Sequence, residues 1–418
     1  MKFKITSVAL MLLLCSYQMI AQEDRQKEKK LVFIIVDGIA ADMIPKTSTP
    51  NLDAISLKGD FSEAYVGGGK GTYSETPTIS AVGYNSLLTG VWVNKHNVYG
   101  NEIKQPNYNY PSIFRLFTND FPEKQTAIFS TWEDNRTKLL GENLVGTNFL
   151  KIDYAFDGFE KDTLNFPHDP YREYIKNIDK KVAYQAAEYI QNEAPDLTWV
   201  YLEFSDDMGH GYGDSPQLYN AITFEDELIG KIYEAIKYRE SNFNEDWLFI
   251  VTTDHGRTAK DGKHHGGQSD RERSTWIAMN KKGNSYFKEQ IPGIVDILPT
   301  MISFLELYPE TSVKEELDGV SLLGMVDAVG LSANLYGATL KLNWKALSDT
   351  DTPAKFYVAR TNNVKYGAKD EYELLGSAKI KNGTAEFNIG KKADIYKILM
   401  ETPNHRLNTW ITPTQTNN

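Results

Sequence analysis

The chain has 418 residues, 41% of them hydrophobic and 12% aromatic, which is enough apolar material for a large core and enough length for two domains. Its 45 basic and 56 acidic residues leave a net charge of −11, so there is no basic footprint of a nucleic-acid binder. Past the first twenty residues, no stretch approaches the ~20 consecutive apolar residues that a membrane span needs.

In chain order, residues 1–21 read as an export signal. Lys2 and Lys4 supply the positive end, Val8 to Leu14 the apolar segment, and Ala21 a small residue before cleavage. The protein is therefore expected to be exported, to the periplasm or outside the cell, with a mature start near Gln22. Cys15 lies inside the signal and is the single cysteine, so the mature chain would hold no disulfide. Lipid anchoring at Cys15 is disfavoured because the preceding Leu14 is larger than the small residue such sites carry. Residues 22–30 form a polar tether.

Residues 31–325 alternate strand-like and helix-like segments, as in βαβ construction. Leu31–Val36, Leu197–Phe204 and Trp247–Thr252 are apolar runs suited to buried parallel strands. Helical spacing places Val182, Ala186, Tyr189 and Ile190 on one face within Lys180–Gln191, and Ile222, Leu228, Ile229, Ile232, Tyr233 and Ile236 on one face within Leu218–Tyr238. Residues 102–170, rich in Asn, Pro, Tyr and Phe with weak periodicity, are expected to be substrate-side loops. The Gly67–Gly71 run lacks the spacing and the Ser/Thr of a phosphate loop and reads as a turn.

After Leu323 the pattern changes to short β-like runs: Thr339–Trp344, Lys355–Val358, Ala378–Ile380, Ala385–Ile389 and Ile395–Met400, with Asn382-Gly383 as a turn. The fold class expected is α/β, a mostly parallel central sheet flanked by helices, plus a small all-β sandwich-like accessory domain at 335–418.

The chemistry sits at the ends of the apolar runs. Each of the three ends near an aspartate, Asp37, Asp206 or Asp254, and His210 and His255 follow the last two within four residues. Side chains just beyond the carboxyl ends of parallel strands share one crevice, and carboxylate with imidazole is a donor set for divalent ions, zinc above all. His264-His265-Gly266-Gly267 adds an imidazole on a loop where backbone can come close. His96, His168 and His405 have no such company and read as surface or hydrogen-bonded residues. Ser80, at the start of a helical segment, stands where N–H groups and the helix dipole favour an anion. On these grounds alone it is either an activated nucleophile or a plain helix cap.

Asp37-Gly38, Pro77-Thr78-x-Ser80 with Leu87-Leu88-Thr89-Gly90, Asp206 to His210, Asp254-His255-Gly256 and His265-Gly266-Gly267 occur in the order found in the alkaline phosphatase superfamily. The chain most resembles its type I phosphodiesterase and nucleotide pyrophosphatase branch, across most of residues 31–323, including Val295 to Thr300 and Asp318-Gly319-Val320. The resemblance implies two Zn2+ per chain. Asp206, His210 and His265 would hold one ion, while Asp37, Ser80, Asp254 and His255 would hold the other, with Ser80 also the nucleophile of a phospho-serine mechanism. Asn101 falls where the branch has an asparagine that donates to a non-bridging phosphate oxygen.

Serine replaces the threonine of many phosphodiesterase relatives, a conservative change. Ser80 is followed by Ala81-Val82-Gly83-Tyr84 rather than the sequence needed to form formylglycine, which disfavours a sulfatase. The expected substrate is a small phosphate ester, a diester before a monoester, because no Lys-x-Arg pair meets a monoester's extra charge. Arg136 is the nearest substitute for such a pair, and a phosphomonoesterase is the alternative it leaves open. The reading from a different class is an exported binding protein whose C-terminal domain attaches to a glycan or envelope partner. An intact nucleophile and ligand set argue against it.

Overall fold

A computed structural model describes residues 27–348, 351–390 and 392–412; the expected signal segment with Cys15 lies outside the described residues. Seven strands form the central sheet: β1 (Glu28–Val36), β2 (Asp60–Tyr65), β3 (Thr126–Ser130), β4 (Tyr154–Phe156), β5 (Leu197–Leu202), β6 (Glu245–Thr252) and β7 (Ser274–Met279), in the order β2-β7-β6-β1-β5-β3-β4. β1 lies at the centre, parallel to β5 and β6, and β3 and β4 continue the parallel run. β7 is antiparallel to β6, and β2 to β7.

The unbroken apolar run of β1 follows from burial on both faces. Leu31, Phe33 and Ile35 belong to one core with the helices Ser80–Thr89 and Ile297–Leu305, whereas Val32, Ile34 and Val36 belong to a second core under the helices Glu173–Glu193 and Pro216–Asn242. Both long helices exceed their expected spans. Pro216 opens the second at its first turn, after Ser215, whose side chain accepts from the Leu218 N–H.

Three expectations about this half need correction. The tether stops before Glu28, because Glu28, Lys29 and Lys30 pair with Glu245, Asp246 and Trp247 of β6. Lys30 is buried by an ion pair of 2.7 Å to Asp196 and a bond of 2.9 Å to the Ala194 carbonyl. Residues 102–170 are not loops throughout: they contain β3, β4 and the helix Ile113–Asp120. β3 has only five residues, all buried, too few to register as a period. Lastly, β5 stops at Leu202, and Phe204 already belongs to a helix, Phe204–Tyr212.

The C-terminal part forms two antiparallel sheets. β8 (Ala328–Tyr336), β9 (Thr339–Ala346) and β12 (Thr384–Asn388) make the order β12-β9-β8, and β10 (Pro353–Ala359), β11 (Glu373–Lys379), β13 (Tyr396–Glu401) and β14 (Arg406–Ile411) make β11-β10-β13-β14. β8 and β14 were not expected from the sequence, and β8 begins before residue 335. Inward residues alternate with outward ones: Leu340, Leu342 and Trp344 of β9 join Ala354, Phe356 and Val358 of β10 in the same core as Leu31 and Phe33.

Where the two parts meet, a group of charges is shut off from water. Lys95 donates to the Glu316 carbonyl at 2.6 Å, to Asp318 at 2.6 Å and to Asn408 at 2.9 Å. Lys397 of β13 bonds Glu316 and reaches Asp370 at 2.7 Å, and both ammonium groups lie 5.0 Å from the Trp410 ring centroid. Removing one partner from a buried, hydrogen-bonded ion group leaves an uncompensated charge. Lys397→Met is therefore expected to cost about 3–5 kcal/mol in urea unfolding. A loss below about 1 kcal/mol, the range of surface pairs, would mean that this contact does not hold the C-terminal sheets in place.

Candidate active site

The carboxyl ends of β1, β5 and β6 converge, as parallel construction requires. Asp37 directly follows β1, Asp254 stands two residues beyond β6, and Asp206 lies in the first turn of Phe204–Tyr212 with His210 one turn later. The chain turns after Asp37 through Gly38, at φ 69°, where a β-carbon would come 2.5 Å from an Asp206 oxygen and 2.7 Å from the Arg257 guanidinium. Only glycine fits.

Ser80 is the first residue of its helix, and Ile79, in extended conformation, occupies the cap position with no side-chain bond. The Ser80 hydroxyl is thus not a cap; it lies 3.3 Å from His255 Nε2. Its helix comes very close to the β6 end, since a β-carbon on Gly83 would be 2.7 Å from the Asp254 carbonyl.

All three aspartates are buried, and each has one oxygen satisfied by protein. Tyr84 and Tyr201 hydroxyls donate to Asp37 Oδ2, the latter at 2.7 Å; the Gly38 N–H donates to Asp254 Oδ1 at 3.0 Å; Arg257 donates to Asp206 Oδ1. Asp37 Oδ1 and Asp254 Oδ2 have no hydrogen-bond partner. These bare oxygens lie 3.4 and 3.2 Å from His255 Nε2. The His255 Nδ1 donates to the Gly256 carbonyl at 2.9 Å, which leaves Nε2 as a lone pair facing two carboxylates.

A second such convergence lies alongside. The His265 Nδ1 donates to the Thr78 carbonyl at 2.9 Å, and its Nε2 faces His210 Nε2 at 3.1 Å, which in turn is 3.2 Å from Asp206 Oδ2. The His255 and His265 rings stack at 3.7 Å. Ligand atoms of Asp37, Asp254 and His255 lie within 4.8 Å of one another, as do those of Asp206, His255 and His265. His255 therefore borders both groups, a sharing the resemblance did not imply.

Burial, reinforced by the nearby Asp206 charge, pushes the Asp37 carboxyl up to about 7, and burial followed by the charge of Asp37 pushes Asp254 well above the usual carboxylate range. His255 is driven well below the ordinary imidazole value by burial and then by His265, and His265 is lowered by burial. Burial alone would raise Asp206, but Arg257 and His210 hold it well below its usual range. Acceptor atoms packed against acceptor atoms, with carboxylates short of counter-charge, are what a divalent cation would relieve. The residues fit such ions.

Asn101 is exposed, and its side-chain oxygen accepts the Ala81 N–H at 3.0 Å, beside Ser80. Arg136 has other work: its Nε bonds Asp157 at 2.7 Å, Nη2 the other Asp157 oxygen at 2.8 Å, and Nη1 Glu142. That engagement runs against its expected role in substrate binding. His264 is exposed, while His96 is buried against Ser86 Oγ at 3.0 Å, His168 meets the Glu160 carbonyl at 3.2 Å and His405 the Ala328 carbonyl at 2.8 Å. Tyr84, Tyr201 and Arg257 escaped the sequence reading. Tyr84 is one helical turn after Ser80 and Arg257 two residues after His255, but nothing in a single sequence says what a tyrosine hydroxyl or a guanidinium will meet.

The profile of the type I phosphodiesterase / nucleotide pyrophosphatase family matches residues 31–330. The chain belongs to that family. Among curated relatives, human ectonucleotide pyrophosphatase/phosphodiesterase family member 7 is 25% identical over 272 residues, 61% of this chain and 54% of the relative. Venom phosphodiesterase CdcPDE of Crotalus durissus collilineatus is 22% identical, over 55% of this chain and 26% of the relative. The chain thus spans about half or less of the length of these two relatives. A solved 2-O GAG sulfatase, 13% identical, superposes with a TM-score of 0.50 over 87% of this chain and 85% of that one, a likeness of fold alone.

If the bare oxygens and nitrogens of the family site hold divalent cations, stripping them should destabilise the fold. A chelator is expected to lower Tm by about 5 °C or more, with zinc restoring it, the size of shift that tight ligand binding to the native state gives. An unchanged Tm with no released metal would count against ion binding here.

Proposed function

We propose that the chain is an exported, metal-dependent phosphoric ester hydrolase that prefers phosphodiesters and uses Ser80 as its nucleophile. The observation that carries this reading is the position of the Ser80 hydroxyl, at a helix start, uncapped and 3.3 Å from His255 Nε2, against two groups of bare ligand atoms. Asp37, Ser80, Asp254 and His255 would hold one ion, and Asp206, His210 and His265 the other. The donor chemistry favours zinc, two per chain. Such ions would neutralise phosphate charge and lower the proton affinity of the nucleophile and of water.

Ser80 gives its proton to solvent and its oxygen attacks phosphorus in line with the departing alcohol oxygen, which takes up a proton from solvent as its bond to phosphorus breaks, giving a phospho-serine. Water then loses a proton and attacks the same phosphorus, and the serine oxygen leaves and regains its proton. The Ala81 N–H orients Asn101 by its carbonyl oxygen, so the side-chain NH2 is left to donate to a non-bridging phosphate oxygen beside the helix start. Tyr84, Tyr201 and the Gly38 N–H hold Asp37 and Asp254 so that each presents a single oxygen.

A diester is favoured because the charge of Arg136 is already balanced by Asp157 and Glu142, leaving the neutral Asn101 as the assigned phosphate donor. The names of the two relatives, both phosphodiesterases, point the same way. In this reading residues 31–325 carry catalysis and the two sheets that begin with β8 at Ala328 form an accessory unit. Export rests on Lys2, Lys4 and the apolar Val8 to Leu14; among the described residues no helix is long and apolar enough to cross a membrane.

Ser80→Ala is expected to reduce turnover of bis-p-nitrophenyl phosphate by about 10³-fold or more while bound metal largely survives. Activity within tenfold of wild type would remove Ser80 as nucleophile. Asn101→Ala should lower kcat/KM for the diester by about 10²-fold, the size of one lost transition-state donor. A wild type that hydrolyses p-nitrophenyl phosphate at least tenfold better than the diester would establish a monoesterase instead.

A further inference from the structure

The two ligand groups differ in charge, by one carboxylate and by one guanidinium. Around the first, the satisfied oxygens of Asp37 and Asp254 take only neutral donors, the Tyr84 and Tyr201 hydroxyls and the Gly38 N–H, so two carboxylates without a cationic partner face the gap. Around the second, the single carboxylate, Asp206, is paired with the Arg257 guanidinium.

Arg257 has no exposed surface. Its Nε donates to the Gly38 carbonyl at 2.8 Å, Nη1 to the Gly262 carbonyl at 3.2 Å, and Nη2 to the Asp206 carbonyl at 2.9 Å as well as to its carboxylate. A β-carbon on Gly209 would sit 1.9 Å from the guanidinium carbon. The glycine between Asp206 and His210 is therefore a slot for Arg257. The slot lies between the Asp37 turn and the Asp206 helix, and no atom of the guanidinium is free to meet substrate.

We propose that Arg257 is a positioning residue that fixes Asp206 as a one-oxygen ligand and makes the Asp206–His210–His265 position the weaker, exchangeable member of a pair of ion sites. This rests on the metal-dependent reading given above. A fixed positive charge on the far oxygen of Asp206 opposes a second cation on the near one, and the other two donors are neutral imidazoles. Solvent reaches this position too: the His210 side chain is 44% exposed, against 0% for His255 and Asp254. The Asp37–Asp254–His255 position has two carboxylates, no guanidinium and no exposed ligand.

The test is a zinc titration of the chelator-stripped full chain against a chromophoric competitor. Wild type should take up two equivalents in two steps whose affinities differ by tenfold or more. His210→Ala should erase the weaker step and leave the tighter one, and Asp254→Asn should do the reverse. Arg257→Gln, folded by circular dichroism, should tighten the weaker step by tenfold or more, whereas Arg257→Lys, which keeps the charge, should leave the steps apart.

Two indistinguishable steps in wild type, loss of the tighter step in His210→Ala, or an unchanged weaker step in folded Arg257→Gln would each overturn the proposal. Should Arg257→Gln not fold, the wild-type and His210→Ala titrations still decide. A wild type that binds no zinc would instead defeat the metal-dependent reading itself.

Discussion

Three carboxylates taken out of water at the ends of parallel strands set the terms for everything around them. An isolated buried carboxylate is costly enough that it takes up a proton or finds a partner. Here Asp37, Asp206 and Asp254 are each given one donor-held oxygen and one oxygen turned toward an imidazole nitrogen, and the nitrogen that Asp37 and Asp254 share, His255 Nε2, is itself an acceptor. The fold supports this arrangement by geometry that tolerates no extra atoms. Gly38 passes within contact of Asp206, Gly209 makes room for Arg257, and Gly83 lets the Ser80 helix touch the Asp254 backbone.

The same close packing ties Ser80 to the two groups of carboxylates and imidazoles. Tyr84, four residues after Ser80 on one helix, donates to Asp37, so the helix that presents the hydroxyl also orients a carboxylate of the adjoining group. Just before the helix, Thr78 does the equivalent for the second group. Its carbonyl takes the His265 Nδ1 proton, and its hydroxyl accepts the Gly266 N–H at 2.9 Å and donates to the Gly267 carbonyl at 2.9 Å. The segment from Thr78 to Tyr84 is therefore bound at both ends, and Ser80 sits between the two attachments.

Much of this was readable from residue order, and the unread parts share a physical cause. β1, β5 and β6 announced themselves because strands buried on both faces have no room for polar residues, and their following aspartates could be placed by topology alone. The two long helices showed because a 3.6-residue period repeats several times within them. β3 is too short to show any period, and β8, with alternate residues only partly buried and a register shift between Val329 and Ser332, carries a diluted pattern. Arg257 and Tyr201 could not be read at all. Each acts on a carboxylate far along the chain, and an arginine or tyrosine that meets a carboxylate looks no different in sequence from one that meets water.

The charge group between the two parts extends the coupling to the far end of the Ser80 helix. That helix ends at Thr89 with Gly90 in left-handed conformation; the Asp318 N–H donates to the Gly90 carbonyl at 2.9 Å, and Asp318 accepts the Trp92 N–H at 2.9 Å. The other Asp318 oxygen takes Lys95, which also bonds Asn408 of β14. Three consecutive polar contacts, Asn408 to Lys95, Lys95 to Asp318 and Asp318 to Gly90, thus join the C-terminal sheets to the end of the Ser80 helix, and the Lys95 side chain at their centre is shut off from solvent, where loss of a partner is expensive. The C-terminal sheets therefore help to fix the far end of the helix whose first residue is Ser80.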